Sequence, residues 1–287
     1  PYSVEKEYGI PFSYIDITKE YDNLVMNPKI RKTKIKARDL ENEISKLQQE
    51  SGYPYIINID TANRSNPIDG KIIMSNLCSE ILQVQEPSVI NGKQEYEVLG
   101  TDISCNLGST NIVNLMDSPD FGKSVRAMTR ALTFVTDASD IDVVPSIQNG
   151  NALNHTIGLG AMGLHTYFAK NQMEYGSPES LEFTDLYFML LNYWTLVESN
   201  NIAKERGEVF HNFEKSAYAD GSYFTDYITG DYQPKSDKIK ALFDGVFIPS
   251  GEDWAALAEA VKKDGLYHQN RLAVAPNGSI SYINDTP

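Results

Sequence analysis

The chain has 287 residues, 41% of them apolar and 22% charged, which is ample for a packed core and excludes a disordered polymer. Its 25 basic residues against 39 acidic ones leave a formal charge of −14, which argues against nucleic acid as a partner and against docking on an anionic membrane. No apolar run approaches the roughly 18 residues of a membrane span. Residues 1–6 do not form a basic-then-apolar leader, and two cysteines are too few for a secreted disulfide framework, so a cytoplasmic setting is expected. With no initiating Met, the chain is expected to be a piece of something longer.

In chain order, the first clear signal is a helix over 38–50, where Leu40, Ile44 and Leu47 share a face and Gly52 follows as a stop. Residues 72–84 read as a strand. Residues 86–100 read as a polar hairpin turning at Asn91-Gly92. A second strand region is expected over 101–115 and a helix over 122–138, with Val125, Met128, Leu132 and Val135 on one side. The strongest helix runs over 178–206. Ser177 can cap it, Pro178 suits its first position, and Gly207 ends it. Its apolar stripe is Leu186, Leu190, Tyr193, Trp194 and Val197. Residues 211–250 are polar and irregular, and 254–262 form a short helix. Nothing reads as a linker, so one α/β domain over 1–287 is expected.

Gly158, Gly160 and Gly163 match the G-x-G-x-x-G spacing of dinucleotide-binding folds. That reading needs an apolar strand just before the first glycine. The preceding residues 148–155 are polar, so the glycines are read as permitting close helix packing. The four histidines do not share metal-ligand spacing with the cysteines, and no metal site is expected.

The segment with chemical content is 75–81, where Asn76, Cys78 and Glu80 are spaced by two. On a helix that step turns about 200° and separates the side chains; on a strand it places them in one row about 6.6–6.8 Å apart. An amide, a thiol and a carboxylate would then share a face, with Leu77 and Ile81 pointing away. A half-exposed strand with a structural cysteine fits the spacing equally well. Cys105 lies in a second polar strand-like run, 102–109. A third element, 274–281, ends in Pro276-Asn277-Gly278-Ser279, a turn whose backbone N–H groups can converge on a phosphate.

Together these segments resemble the large, catalytic α subunit of class I ribonucleotide reductase, in wording closest to class Ib. The likeness runs through residues 50–55, 74–83, 102–111, 158–165, 175–179 and 275–284. It implies a portion of a ten-stranded α/β barrel with the active site inside. It implies that Cys78 becomes a thiyl radical and takes the 3′ hydrogen of the ribose. Glu80 would accept the 3′-OH proton, and Asn76 would bind the sugar hydroxyls. Cys105 would be one of two cysteines that reduce the substrate and end as a disulfide. Asn76, Leu77, Cys78, Ser79 and Glu80 would line the substrate. Pro276, Asn277, Gly278, Ser279 and Ile280 would hold its diphosphate, with Asn277 standing where the family commonly has Thr.

The same resemblance implies a ribonucleoside diphosphate as substrate, a metal-containing β subunit as radical source, and a glutaredoxin- or thioredoxin-like reductant. ATP and deoxynucleotide effectors would bind elsewhere in the full subunit, and no cofactor is expected on this chain. The upstream redox cysteine, the C-terminal relay tyrosines and the shuttling cysteine pair are not in this sequence. The expectation is therefore a fragment or split piece that needs the remaining part of the α subunit and is inactive alone. Two alternatives stand beside it: a non-catalytic assembly piece retaining the site, and the cobalamin-dependent branch of the same superfamily.

Overall fold

The computed structural model describes residues 1–104, 106–139 and 141–286. Short helices lead: α1 (Tyr2–Tyr8), α2 (Ile17–Met26), α3 (Ala37–Ser51) and α4 (Ile59–Arg64). A small antiparallel pair follows, β1 (Val89–Ile90) and β2 (Tyr96–Val98). Next come β3 (Leu107–Asn111), α5 (Ile112–Met116), α6 (Phe121–Ala138), α7 (Pro145–Asn154), β4 (Gly158–Met162) and α8 (Leu164–Lys170). The chain then runs through α9 (Pro178–Arg206), α10 (Thr225–Thr229), α11 (Asp237–Leu242), α12 (Gly251–Asp264) and α13 (Gly278–Ile283).

Helices stand where cap and periodicity agree. The Asp120 side chain accepts from the Lys123 N–H at the start of α6, and Ser177 accepts from the Ser180 N–H at the start of α9. Gly207 closes α9 in the left-handed conformation, φ 66°. Ser250 and Asp253 form a reciprocal capping box on α12. Of the expected stripe on α9, Leu186, Leu190 and Tyr193 are buried and Trp194 and Val197 half-buried. Phe183, Tyr187, Leu191 and Leu196 are buried as well, so the helix is enclosed on nearly every side. It packs on α6, α11 and α12. Its Glu198, fully buried, receives Arg126 at 2.6 Å and Arg130, both from α6. Arg130 also forks onto Glu205 at 2.9 and 2.6 Å.

The sheet that matters is parallel. β3 and β4 pair from Leu107↔Gly158 to Asn111↔Met162, and Leu272 bridges Leu159 in parallel on the other side. β4 is buried at every residue. A Cβ on Gly160 would lie 2.3 Å from the Ala273 carbonyl oxygen, and one on Gly158 would lie 2.9 Å from the Ala273 Cβ. The glycines therefore permit strand contact, not the helix packing expected from sequence. α7 precedes them, which is the wrong context for a dinucleotide fingerprint. Thr110 of β3 donates to the Gly160 carbonyl at 2.9 Å and meets the Tyr187 hydroxyl at 2.7 Å, tying both strands to α9.

Two strand expectations need correction. Residues 72–84 join no ladder, and a tight turn interrupts them at 76–79. Of 101–115 only Leu107–Asn111 is strand, after which α5 begins. Among the described residues the strands form two two-stranded sheets plus one bridge, and no closed barrel.

Two stability predictions follow from these contacts. Gly160→Ala forces backbone against backbone and is expected to lower stability by about 1–3 kcal/mol, seen as a lower thermal midpoint; an unchanged midpoint would show that residues 273–274 can retreat. His268 is fully buried, bonded to Thr133 and Ser199 at 2.9 Å each, and burial holds it well below the ordinary imidazole range. Burial also depresses His155. An unfolded imidazole binds a proton below about pH 6.5 while the folded one stays neutral, so stability should decline as pH falls from there toward the folded-state value. Thermal midpoints measured from pH 8 to 5 should show that decline, and it should be shallower in His268→Gln.

Candidate active site

Residues 75–81 form a loop closed at its neck by polar side chains. The Ser75 hydroxyl donates to the Ile81 carbonyl at 2.6 Å. The Asn76 Oδ1 accepts from the Ile81 N–H at 3.1 Å, and the Asn76 Nδ2 donates to the Glu80 carboxylate at 2.8 Å. At the tip the Ser79 N–H reaches back to the Asn76 carbonyl at 3.1 Å. Ser79 sits at φ 65°, in the left-handed region, at about 1–2 kcal/mol for a residue with a Cβ. The neck bonds offset that strain.

Asn76, Cys78 and Glu80 therefore do not share one face of a strand. The turn folds Asn76 and Glu80 onto each other and carries the exposed Cys78 at its apex beside an exposed Leu77. The period-two spacing is met by a different geometry, because an asparagine side chain can supply the backbone partners that a neighbouring strand would otherwise provide. Tyr53 and Tyr55, within the 50–55 run of the likeness, place their rings 5.0 Å apart. A hydrogen bond with Tyr53 raises the Tyr55 phenol above its ordinary value.

After the turn the chain is extended. Ile81, Gln83 and Gln85 face one way and, with Asn76 and Ile103, line a cleft of about 190 Å³. Ile103 belongs to the run that leads to Cys105, which lies outside the described residues. The flanks of that run are pinned: the Ser104 hydroxyl donates to Asn151 Oδ1 at 2.5 Å, and the Asn106 amide donates to Thr136 at 2.9 Å. Wider clefts, of about 410 Å³ along α6 and 460 Å³ beside His155, contain none of the expected site residues.

The turn at 276–280 belongs to a second hydrogen-bonded group. The Asn277 Oδ1 accepts from the Ser109 hydroxyl at 2.6 Å, and its Nδ2 donates to the Ala161 carbonyl at 3.0 Å. That side chain ties the start of α13 to β3 and β4. The N–H groups of Gly278, Ser279 and Ile280 open α13, where a helix leaves its donors without internal acceptors. Among the described residues, no group of three or more His, Cys, Asp or Glu is placed to hold a metal. No helix there is long and apolar enough to cross a membrane.

Comparison with known proteins gives a family. The family described as "Ribonucleotide reductase, barrel domain" matches residues 1–287. The ribonucleoside-diphosphate reductase subunit alpha of Bacillus subtilis is 43% identical over 288 residues, covering 100% of this chain and 41% of the relative. The corresponding subunit of Mycoplasma pneumoniae is 45% identical, covering 99% of this chain and 40% of the relative. That of Helicobacter pylori is 30% identical over 94% of this chain. The chain thus spans about two fifths of the length of these curated relatives. The apex position of Cys78 carries its own expectation: a small alkylating reagent should label it in the folded chain as fast as in an unfolded control, mapped by peptide mass. Strong protection would mean that the turn does not present the thiol.

Proposed function

Because the chain belongs to the ribonucleotide reductase barrel-domain family, we propose that it is the thiyl-bearing part of a class Ib ribonucleoside-diphosphate reductase α subunit. The observation that carries this reading is the closed turn at 75–81, which holds a carboxylate and an amide in contact directly behind an accessible thiol. Cys78, oxidised by one electron through a metal-containing β subunit, takes the 3′ hydrogen of a ribonucleoside diphosphate. Glu80 accepts the 3′-OH proton, which eases loss of the 2′-OH as water from the C3′ radical. Asn76 orients Glu80 and the sugar hydroxyls. Cys105 and a cysteine in the remainder of the subunit supply two electrons and two protons, one proton leaving with the 2′-OH as water and the other completing the C2′–H bond, and end as a disulfide. Cys78 then returns a hydrogen atom to C3′, and a thioredoxin- or glutaredoxin-like dithiol resets the pair.

Pro276, Asn277, Gly278, Ser279 and Ile280 would receive the diphosphate. The Asn277 side chain is engaged on the sheet, so the donors left for a phosphate are the first N–H groups of α13. Backbone donors suit an anionic substrate on a chain of charge −14. The parallel run of β3, β4 and residues 271–273 is read as part of the ten-stranded barrel, which the remainder of the subunit would close in the cytoplasm. Nucleotide effectors act on that remainder, and this chain alone would be inactive.

The test uses a complete α subunit carrying this segment, the β subunit and a dithiol. Cys78→Ser should abolish turnover with an unchanged thermal midpoint, and Glu80→Gln should lower it by about 10²–10⁴-fold. Turnover that survives Cys78→Ser would make this segment a non-catalytic assembly piece. Turnover that needs cobalamin in place of the β subunit would move it to that branch of the superfamily.

A further inference from the structure

Ile81 is buried, and both of its main-chain groups are met by side chains from the opposite limb of the loop. Its N–H goes to the Asn76 Oδ1 at 3.1 Å, and its carbonyl accepts from the Ser75 hydroxyl at 2.6 Å. Among the described residues no main-chain bond closes this neck. The main-chain bond inside the loop, from the Ser79 N–H to the Asn76 carbonyl, lies at the tip. The Ser75 oxygen is also 3.3 Å from the Asn76 Oδ1, but a hydroxyl has a single hydrogen and the nearer carbonyl takes it. Ser79, at φ 65°, holds a conformation that a released loop would leave.

The side-chain bonds of the loop are not equivalent. Two belong to Asn76, which holds the Ile81 N–H and the Glu80 carboxylate. In the reductase reading the same amide binds the sugar hydroxyls, so substrate competes for it. The Ser75 hydroxyl has no such second duty. Its bond ends on the residue directly after Glu80, and it fixes the main chain there even when Asn76 is drawn onto substrate. Transfer of a hydrogen atom from carbon to sulfur needs near-contact, and a displacement of about 1 Å can cost on the order of 10²-fold in rate.

We propose that Ser75 is a positioning residue for hydrogen abstraction: its bond to the Ile81 carbonyl holds the loop that aims Cys78 and Glu80 at the ribose. This rests on the reductase reading and adds a residue to it. The step it serves breaks the C3′–H bond, forms the Cys78 S–H bond and leaves the unpaired electron on C3′. Ser75 acts through the main chain of Ile81 and touches no reacting atom. Neither residue belongs to the apolar core packed around α9, and Leu77 and Cys78 at the tip are exposed. Loss of the hydroxyl should therefore spare the fold and spoil the aim.

The experiment compares Ser75→Ala with Ser75→Thr in a complete α subunit, with the β subunit and a dithiol, on CDP carrying hydrogen or deuterium at C3′. Threonine keeps the hydroxyl and alanine removes it. For Ser75→Ala the expected result is a kcat about 10–100-fold lower with KM within about twofold of wild type. The isotope effect on its turnover should exceed that of the wild type, because a misaimed transfer becomes the slow step. Ser75→Thr should restore most of kcat. A wild-type kcat in Ser75→Ala overturns the proposal. A lower kcat with an unchanged isotope effect overturns it too, since that is the mark of less competent enzyme and a merely structural role. So does a loss in Ser75→Thr as deep as in Ser75→Ala, which would show that the hydroxyl is not what matters. Failure of the underlying function shows separately, as turnover that survives Cys78→Ser.

Discussion

The close approach of β4 to residues 272–274 is the constraint on which the rest of the molecule is hung. Nothing larger than a hydrogen fits on the Cα atoms of Gly158 and Gly160, because the Ala273 carbonyl oxygen and methyl group occupy that space. With those two backbones in contact, the bridged segment at Leu272 leads directly to the 276–280 turn. Asn277 then reaches back across the sheet to Ser109 and to the Ala161 carbonyl. The placement of the turn follows from main-chain packing that tolerates little variation, since a shift of a few tenths of an ångström is felt at such separations.

The loop bearing Cys78 is held by a different kind of force. It buries little apolar surface around the thiol, and Leu77 is largely in solvent. Its shape comes from one asparagine that satisfies a backbone N–H, a carboxylate and a backbone donor through its own carbonyl within five residues. Asn76 is thus both the architect of the turn and a member of the chemical group it displays. A rigid apolar sheet on one side and a small polar knot on the other divide the work of positioning between packing and hydrogen bonding.

How much could be read beforehand depended on which interaction decided each segment. Helices α3, α6 and α9 were legible from apolar spacing, joined by a terminal glycine in α3 and by both a capping Ser and a terminal glycine in α9. The β1–β2 hairpin was legible from Asn91-Gly92. The turn at 76–79 was not, because alternation of polar and apolar residues over so short a run is common to a strand and to an Asn-led turn, and the choice rests on side-chain-to-backbone bonds that spacing does not encode. β4 was missed for the opposite reason: a Gly-rich run has little strand propensity, and its partners are remote, β3 about fifty residues earlier and the bridge at Leu272 more than a hundred residues later. The identities of Asn76, Cys78 and Glu80 were available from resemblance. The unpaired Oε1 of the buried Gln83 was not, since only coordinates reveal an unfilled valence.

Glu198 has a consequence for how the layers are indexed. It sits inside α9 and accepts from two arginines, one turn apart on α6. Sliding α6 along α9 by a single turn, about 5.4 Å, would leave that buried carboxylate with at most one of its two arginines. Small axial slips that apolar ridges would tolerate are thereby disfavoured. Because α6 follows β3 and α9 lies beyond β4 in the chain, one acidic side chain works as a detent that keeps both strands, and the loops at their ends, at matched heights.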